Sequence, residues 1–474
     1  MTFLLKLAEL FLLLAVSYVL AFKLIPRIFV GLGRVLGFAM KPTPLTEKRI
    51  LRFKQIKRGY ACFVLVTMAS VMSLGLELFV NNKPIYIRYG DKVQFAAIAN
   101  WANFLIPFVR FNDRVAAKDY GLDETGDLDC RAYATWVGNP AVLDTKITKM
   151  EEDIAKDEAR FRKVLEEQAK NRGLLYDPAQ PLPESKLAEY ESIRTKAERL
   201  RVLRSELESG KASILMPPFP YSPREQLLEL PGAPPHKPFQ KGFPILGTDE
   251  QGREIISQLL YGFRICFAFA LFVAFTGYAI GVLVGGAMGY YGGWFDIFAQ
   301  RLIEIWSSIP FLFTMIIISS VVGPVSSGVK FAILAFMLVG LGGWTSITYT
   351  VRGEFYRERS RDYVQAARAL GVKDLKIMVR HILPNSLVPI VTFLPFAVVG
   401  YMSALVSLDF LGYGLPPGTP SWGALLRQGS ENIVNYPHLV YIPVLAFAGT
   451  LFCVVMVGEA VREAFDPKKY ARLR

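Results

Sequence analysis

Long uncharged stretches alternate with short charged ones along most of this chain. Uncharged runs occupy Ala61 to Leu76, Ile305 to Val329, Phe331 to Val351, Ile382 to Leu408 and Leu439 to Gly458, and a sixth, Ile265 to Gln300, is broken only by Asp296. Most exceed the roughly 20 residues that a helix needs to cross about 30 Å of hydrocarbon, and no globular core accommodates six such runs in series. The pattern predicts an all-α polytopic membrane protein. Between about Asn81 and Leu260 the pattern changes. From about Thr145 to Asn171, Ile147, Ile154 and Phe161 recur every seven residues, with Met150, Val164 and Leu165 beside them. From Glu184 to Glu208, Ile193, Leu200 and Leu207 do the same, with Ala197 and Leu203 between them. Gly173, Pro178, Pro181 and Pro183 stop a helix between the two. This spacing predicts an antiparallel, coiled-coil-like hairpin of about 40 Å; a solvated spacer is the other reading. Prolines from Pro217 to Pro244 then predict an extended, semi-rigid connector.

Composition agrees with a lipid environment. Of 474 residues 52% are apolar and 20% charged, against about 25% charged in an average soluble domain, and the mean hydropathy is +0.31. The net charge of +13 suggests nucleic acid, but the basic residues flank the apolar runs, as the positive-inside rule requires. The bilayer is therefore the expected partner and nucleic acid is not. Between Lys23 and Arg58, eight further basic residues are opposed only by Glu47; a second cluster runs from Arg352 to Arg380, and Lys468, Lys469, Arg472 and Arg474 close the chain. Counting crossings from the first cluster places all three in the cytoplasm, with 81–245 outside and the C-terminus inside.

The resulting division is 1–40, a hydrophobic extension; 41–80, a basic segment and first core span; 81–245, the outside segment with its hairpin at 145–208; 246–465, five further spans; and 466–474, a cytoplasmic tail. Leu10 to Phe22 is short for a span. A short extra helix with an outside N-terminus is the expectation for 1–40, a cleaved signal peptide is its rival, and a start at Met40 would remove it.

Catalytic chemistry is not indicated. The chain lacks GxxxxGK[ST], GxSxG and HExxH. Cys62, Cys266 and Cys453 fall in predicted spans and Cys130 stands alone outside, so no disulfide framework is expected. His236, His381 and His438 have no metal-ligand spacing; neither metal nor cofactor is expected. Arg264, Glu304, Asp409 and Glu459 sit near span ends, where snorkelling or end-capping suffices. Gly277, Gly281, Gly285 and Gly289 make a small-residue stripe on one helix face. Packing within this chain and sliding against a partner membrane subunit are both open readings of it.

The most informative stretch is Arg361-Asp362-Tyr363-Val364-Gln365-Ala366-Ala367-Arg368-Ala369-Leu370-Gly371, followed by Val372 to Asn385. Tyr363, Ala366, Ala367 and Leu370 share a helical spacing and predict a small apolar face, which Gly371 ends. A second helix is expected from near Asp374 to Pro384. These residues resemble the cytoplasmic EAA loop of permease subunits in binding-protein-dependent ABC importers. Leu246 to Arg253 and Leu260 to Ile265 are similar to the run leading into that family's permease core, and Gly289 to Asp296 to its following turn. Ser407 to Gly423 resembles the outside loop of C-type dipeptide and oligopeptide permeases. Gly458 to Pro467 is most similar to the subgroup importing microcin C and related peptides.

The resemblance implies a six-helix ABC importer permease core; the extra N-terminal helix and the hairpin insertion expected here lie outside the family pattern. It implies a permease subunit of an ATP-driven peptide importer in a bacterial inner membrane, not an enzyme. The implied partners are a second permease subunit, a cytoplasmic ABC ATPase and an extracytoplasmic peptide-binding protein. Asp362, Gln365, Ala366, Ala367, Gly371, Asp374, His381, Pro384 and Asn385 would form the ATPase-coupling loop; Asp409, Gly412, Gly414, Pro416, Pro420, Ser421, Trp422 and Gly423 would form the outside loop. Gln365 stands where the motif has Glu, so a salt bridge from that position is not implied. An ion-coupled secondary transporter and a membrane scaffold using the hairpin are the alternatives from other classes.

Overall fold

The computed structural model describes residues 18, 19, 22, 23, 44–106, 108–122, 126–171, 182–323 and 325–466. Most of the expected N-terminal helix, the turn of the hairpin and all but Asp466 of the tail lie outside them. The chain divides into two compact units, one formed by 1–74 with 223–474 and the other by 75–222.

The first unit is helical. α1 (Pro44–Gln55) and α2 (Lys57–Leu74) precede the second unit in sequence. After it come α8 (Ile255–Tyr291), α9 (Gly293–Ser307), α10 (Phe311–Val322), α11 (Ser327–Leu338), α12 (Thr345–Glu358), α13 (Asp362–Ala369), α14 (Asp374–Ile377), α15 (Leu387–Phe410), α16 (Trp422–Glu431) and α17 (His438–Phe465). Among the described residues α8, α15 and α17 are long and apolar enough to cross a membrane. The third and fourth expected spans are bent pairs: α9 meets α10 at 66°, and α11 with its terminal turn meets α12 at 46°. If each pair is one span the number is five; α2, 18 residues long, overlies the first span expected from the sequence but is not among the helices apolar enough to cross a membrane. The bends have local causes. Pro310 precedes α10, and Val339–Gly343 winds as a π-helical turn through three glycines before α12, where glycine weakens helix formation. The core of this unit gathers Phe269, Val273, Met315, Leu334, Met402 and Leu405 from α8, α10, α11 and α15.

Part of the proline-rich connector also belongs to this unit, so the compact boundary falls at residue 223 instead of 245. Backbone hydrogen bonds from Leu227 N to Gly252 O (2.9 Å) and from Thr248 N to His236 O (3.2 Å) hold it against the start of α8.

The second unit contains α3 (Leu76–Phe79), β1 (Tyr86–Tyr89), β2 (Lys92–Gln94), α4 (Ala96–Leu105), α5 (Cys130–Gly138), α6 (Val142–Asn171), α7 (Glu184–Glu208) and β3 (Ala212–Leu215). β1 is central to an antiparallel sheet of order β2-β1-β3, with Ile87 opposite Gln94 on one side and Ile214 on the other. α6 and α7 pack together. Ile147, Ile154, Ala197, Leu200, Leu203 and Leu207 are buried, while Arg201–Glu151 (2.5 Å), Arg204–Asp144 (2.7 Å) and Lys186–Asp157 (3.2 Å) pair across the outside. The base of the hairpin is thus part of a folded domain whose core also holds Tyr120, Tyr133 and Leu143.

Candidate functional site

Two polar constellations of the first unit are built on opposite ends of α8, whose 37 residues span about 55 Å. At the C-terminal end stands the helix-glycine-helix loop. Asp362 lies in the first turn of α13 and Arg368 in its last, which suits the helix dipole. Gly371 takes φ +73°, and the bonds Gly371 N to Arg368 O (2.9 Å) and Val372 N to Ala367 O (3.1 Å) close the helix. Val364, Ala367, Ile377 and Ile382 turn inward against Val351, Phe355 and Tyr290. Ala367 therefore leaves the expected outward face: Tyr363, Ala366 and Leu370 are exposed and Ala367 is buried. The second helix is also shorter than expected, since α14 passes at Met378–Ile382 into a π-helical turn.

Tyr290, at the end of α8, ties this loop to the bundle. Its hydroxyl donates to Asp374 Oδ1 (2.6 Å) and accepts from Arg368 Nε (3.3 Å), and its carbonyl accepts from Arg359 Nη1 (3.1 Å). Tyr363 Oη donates to Glu358 Oε2 (2.8 Å) and accepts from Asn385 Nδ2 (3.2 Å), which also donates to His381 O (3.0 Å). Partial desolvation of its hydroxyl, with the bond to Glu358, raises the Tyr363 phenol above its ordinary value. Gln365 Nε2 donates to Arg359 O (2.8 Å), a bond that the carboxylate of a Glu cannot make. Asp362 and Pro384 are exposed, and His381 is half-buried. The outward surface mixes exposed apolar side chains, Leu370 (82%), Leu375 (70%) and Val379 (54%), with exposed charges such as Arg368, Lys373 and Lys376.

The glycine stripe runs between the two ends and lies against the turn before α12 and α12 itself. A Cβ at Gly277 would stand 2.6 Å from Gly343 O, at Gly281 2.3 Å from Ile347 Cγ2, at Gly285 2.3 Å from Thr348 O, and at Gly289 2.5 Å from Arg352 O. Arg352 in turn grips Asp296 of α9 through two bonds of 2.6 Å, a fork-to-fork geometry.

At the other end Asp409, the penultimate residue of α15, organises the loop that follows it. Its carboxylate accepts from Leu415 N (2.7 Å) and from the Ser421 hydroxyl, and the Ser421 oxygen accepts from Gly423 N (3.2 Å) and Ala424 N (3.4 Å) to cap α16. Glycine is required here by space: a Cβ at Gly414 would fall 1.7 Å from Asp409 Oδ1, and at Gly423 2.3 Å from Val406 O. Gly412 takes φ +84°. Trp422 Nε1 donates to Leu259 O (2.9 Å) of α8. The Pro416 carbonyl accepts from Thr419 N (3.1 Å), Thr419 Oγ1 meets Ser327 Oγ at 2.8 Å, and Pro420 is buried.

Beside this loop the turn before α8 holds a buried ion pair. Asp249 accepts from Arg253 Nε (2.7 Å), Nη2 (2.6 Å) and backbone N (2.8 Å), and from Gln251 N (3.0 Å). Glu250 is bonded by Asn432 Nδ2, and burial together with the nearby Glu431 and Asp249 raises its carboxyl above the usual range. A cavity of about 290 Å³ opens here, lined by Glu250, Arg253, Asp409 and Arg427 among others.

Sequence reasoning missed Tyr290 as the anchor of the loop and Lys330 as a buried cation. Lys330 Nζ donates to Ser319 O (3.1 Å) and Oγ (2.7 Å), tying α10 to α11 beside the outside loop. Its signal was present, because Lys330 is the one charge separating the apolar run that ends at Val329 from the one that begins at Phe331.

Residues 277–469 match the family described as the binding-protein-dependent transport system inner membrane component. Over 428 residues, covering 90% of this chain and 98% of the relative, the chain is 33% identical to the inner membrane ABC transporter permease protein YejE of Escherichia coli (strain K12). The chain belongs to this permease family. The permease is also 45% identical over 227 residues to the peptidoglycan transport system permease protein YejE of Agrobacterium fabrum (strain C58 / ATCC 33970), a match covering 48% of this chain and 58% of that relative. It is 34% identical over 222 residues to the glutathione transport system permease protein GsiD of Escherichia coli O1:K1 / APEC, covering 47% of this chain and 71% of that relative. Family and apolar helices together make this permease a multi-pass inner-membrane protein. Its family is one of transport permeases, not of enzymes.

Proposed function

We propose that this permease imports peptides or peptide-containing molecules, pairing with a second permease subunit to line the translocation path and taking its driving force from a separate cytoplasmic ABC ATPase. The observation that carries the reading is the loop at 361–385. It presents exposed Leu370, Leu375 and Val379 on a backbone fastened to α8 through Tyr290. A load applied there is transmitted to a helix that reaches the outside loop, as rigid-body coupling requires. The peptide class rests on the relatives, which are named as peptidoglycan and glutathione permeases. In this topology the three basic clusters and the C-terminus are cytoplasmic, and residues 75–222 with the Asp409 loop face the peptide-binding protein.

Copurification tests the coupling half of the reading. A cytoplasmic ABC ATPase should be retained by the wild-type chain, and Leu375→Asp should reduce its retention at least tenfold while the permease still inserts. Equal retention by the variant would remove the loop from the docking surface.

A further inference from the structure

We infer that α4 and the loop after it form an interfacial anchor that lies in the surface of the bilayer. The first observation is a charge gap. From Val93 to Asn112 the only charged residue is Arg110, in a unit whose remaining surface is densely charged. The second is exposure. Phe95 (49%), Ile98 (41%) and Leu105 (48%) face outward from α4 and its cap, and Phe108 (96%), Val109 (48%) and Phe111 (42%) continue the surface along the loop. Exposed apolar side chains grouped this closely in sequence mark an interaction surface.

The loop is held in place instead of collapsing onto the domain core. Asn103 Nδ2 donates to Phe111 O (3.0 Å), and Phe111 N donates back to Asn103 Oδ1 (2.7 Å). Two residues on, Asp113 accepts from Lys83 Nζ (2.5 Å) and Asn100 Nδ2 (2.8 Å). These bonds fix both ends of the projection, so its apolar side chains stay presented.

Chain continuity points to lipid as the occupant. α4 packs on α3, and α3 begins at Leu76, two residues after α2 ends at Leu74. Asn81 Nδ2 meets Asn100 Oδ1 (3.5 Å) and Ala97 N donates to Pro84 O (2.9 Å), so the patch is joined to the residues that leave the first core span. Exposed apolar and aromatic side chains on the helix and loop, with the exposed Arg110 beside them, suit a segment lying in the headgroup boundary, where an arginine can reach the polar side. The inference goes beyond the import reading and shares with it only the assignment of α2 as a span.

The test is a nitroxide label on Phe108→Cys in the full chain, with half-buried Cys62 and Cys453 replaced by alanine, reconstituted in bilayers containing anionic lipid. The same label on Ser192→Cys of the hairpin is the solvent reference. Power-saturation electron paramagnetic resonance should give oxygen accessibility above that of a neutral nickel chelate at 108, at a depth of about 5–10 Å, and the reverse at 192. Nickel accessibility at 108 equal to that at 192 would place the loop in water and overturn the inference. Low accessibility to both reagents would mean burial against protein and would overturn it equally. Because the reading needs neither ATPase nor peptide, its failure leaves the import reading standing.

Discussion

At the scale of single residues, one glycine and one carboxylate–phenol pair make sharp demands. Gly371 sits at φ +73° with nothing within 4 Å of the place a Cβ would occupy, so a substitution there is opposed by backbone strain and not by crowding. Gly371→Val should cost about 1–3 kcal/mol locally, weaken ATPase association and abolish peptide uptake while leaving membrane insertion intact. Wild-type uptake by that variant would contradict the docking geometry. In the second unit, the bonds that Glu206 accepts from Lys211 and Tyr89 hold its carboxyl below the ordinary carboxylate range, whereas burial and the bond to Glu206 push the Tyr89 phenol up to about 12. The depressed carboxyl contributes stability that is present above its unfolded value, about 4.3, and is lost as pH falls below it. The raised phenol contributes stability that is complete below about 10 and is lost as pH rises toward 12. Thermal unfolding followed by tyrosine near-ultraviolet dichroism should therefore show both edges, and Glu206→Gln should flatten the acid one; an unchanged acid edge would mean that other carboxylates set it.

At the scale of helices, the contrast between two glycines is diagnostic. Gly285 faces Thr348 O at 2.3 Å from the position of a Cβ, while a Cβ on Gly353 of α12 would meet nothing within 4 Å. Gly285→Val should wedge α8 from α12 and destabilise the bundle by about 1–3 kcal/mol, whereas Gly353→Ala should be neutral or slightly stabilising through helix propensity. Thermal stability in detergent measures both, and equal midpoints would show that the stripe is not a close contact. These elements also divide what the sequence makes legible from what it hides. Continuous runs such as Leu439 to Gly458 announce α17 because length and hydropathy are local properties. The bends around Pro310 and Gly340–Gly343 are not legible in the same way, because a window average reads through them. The three-stranded sheet is hidden for another reason: its strands are three or four residues long, and β1 is defined by partners on both sides, one of them more than a hundred residues away in sequence. The coupling loop is legible to its glycine, but the inward turn of Ala367 depends on Phe355 and Tyr290, which no spacing within the loop encodes.

At the scale of the whole molecule, the hairpin and the two ends of α8 are separable. Replacing Lys146 to Glu208 by a short Gly/Ser linker removes α7, which supplies Leu200, Leu203 and Leu207 to the core of the second unit, so that unit should lose its cooperative unfolding while the helical unit persists. Assembly and basal ATP hydrolysis should survive, and stimulation of hydrolysis by peptide-loaded binding protein should fall; full stimulation in the deletion variant would leave the hairpin as a spacer. The central claim is that nucleotide energy enters at the loop of 361–385 and moves peptide through the bundle. The most direct measurement is uptake of a labelled peptide into proteoliposomes holding this permease, its partner permease and the ATPase, with binding protein supplied and ion gradients collapsed by ionophores. Uptake that requires ATP, persists with the ionophores and disappears in Gly371→Val is the predicted result. Uptake that follows an imposed proton or sodium gradient and ignores ATP would contradict the account.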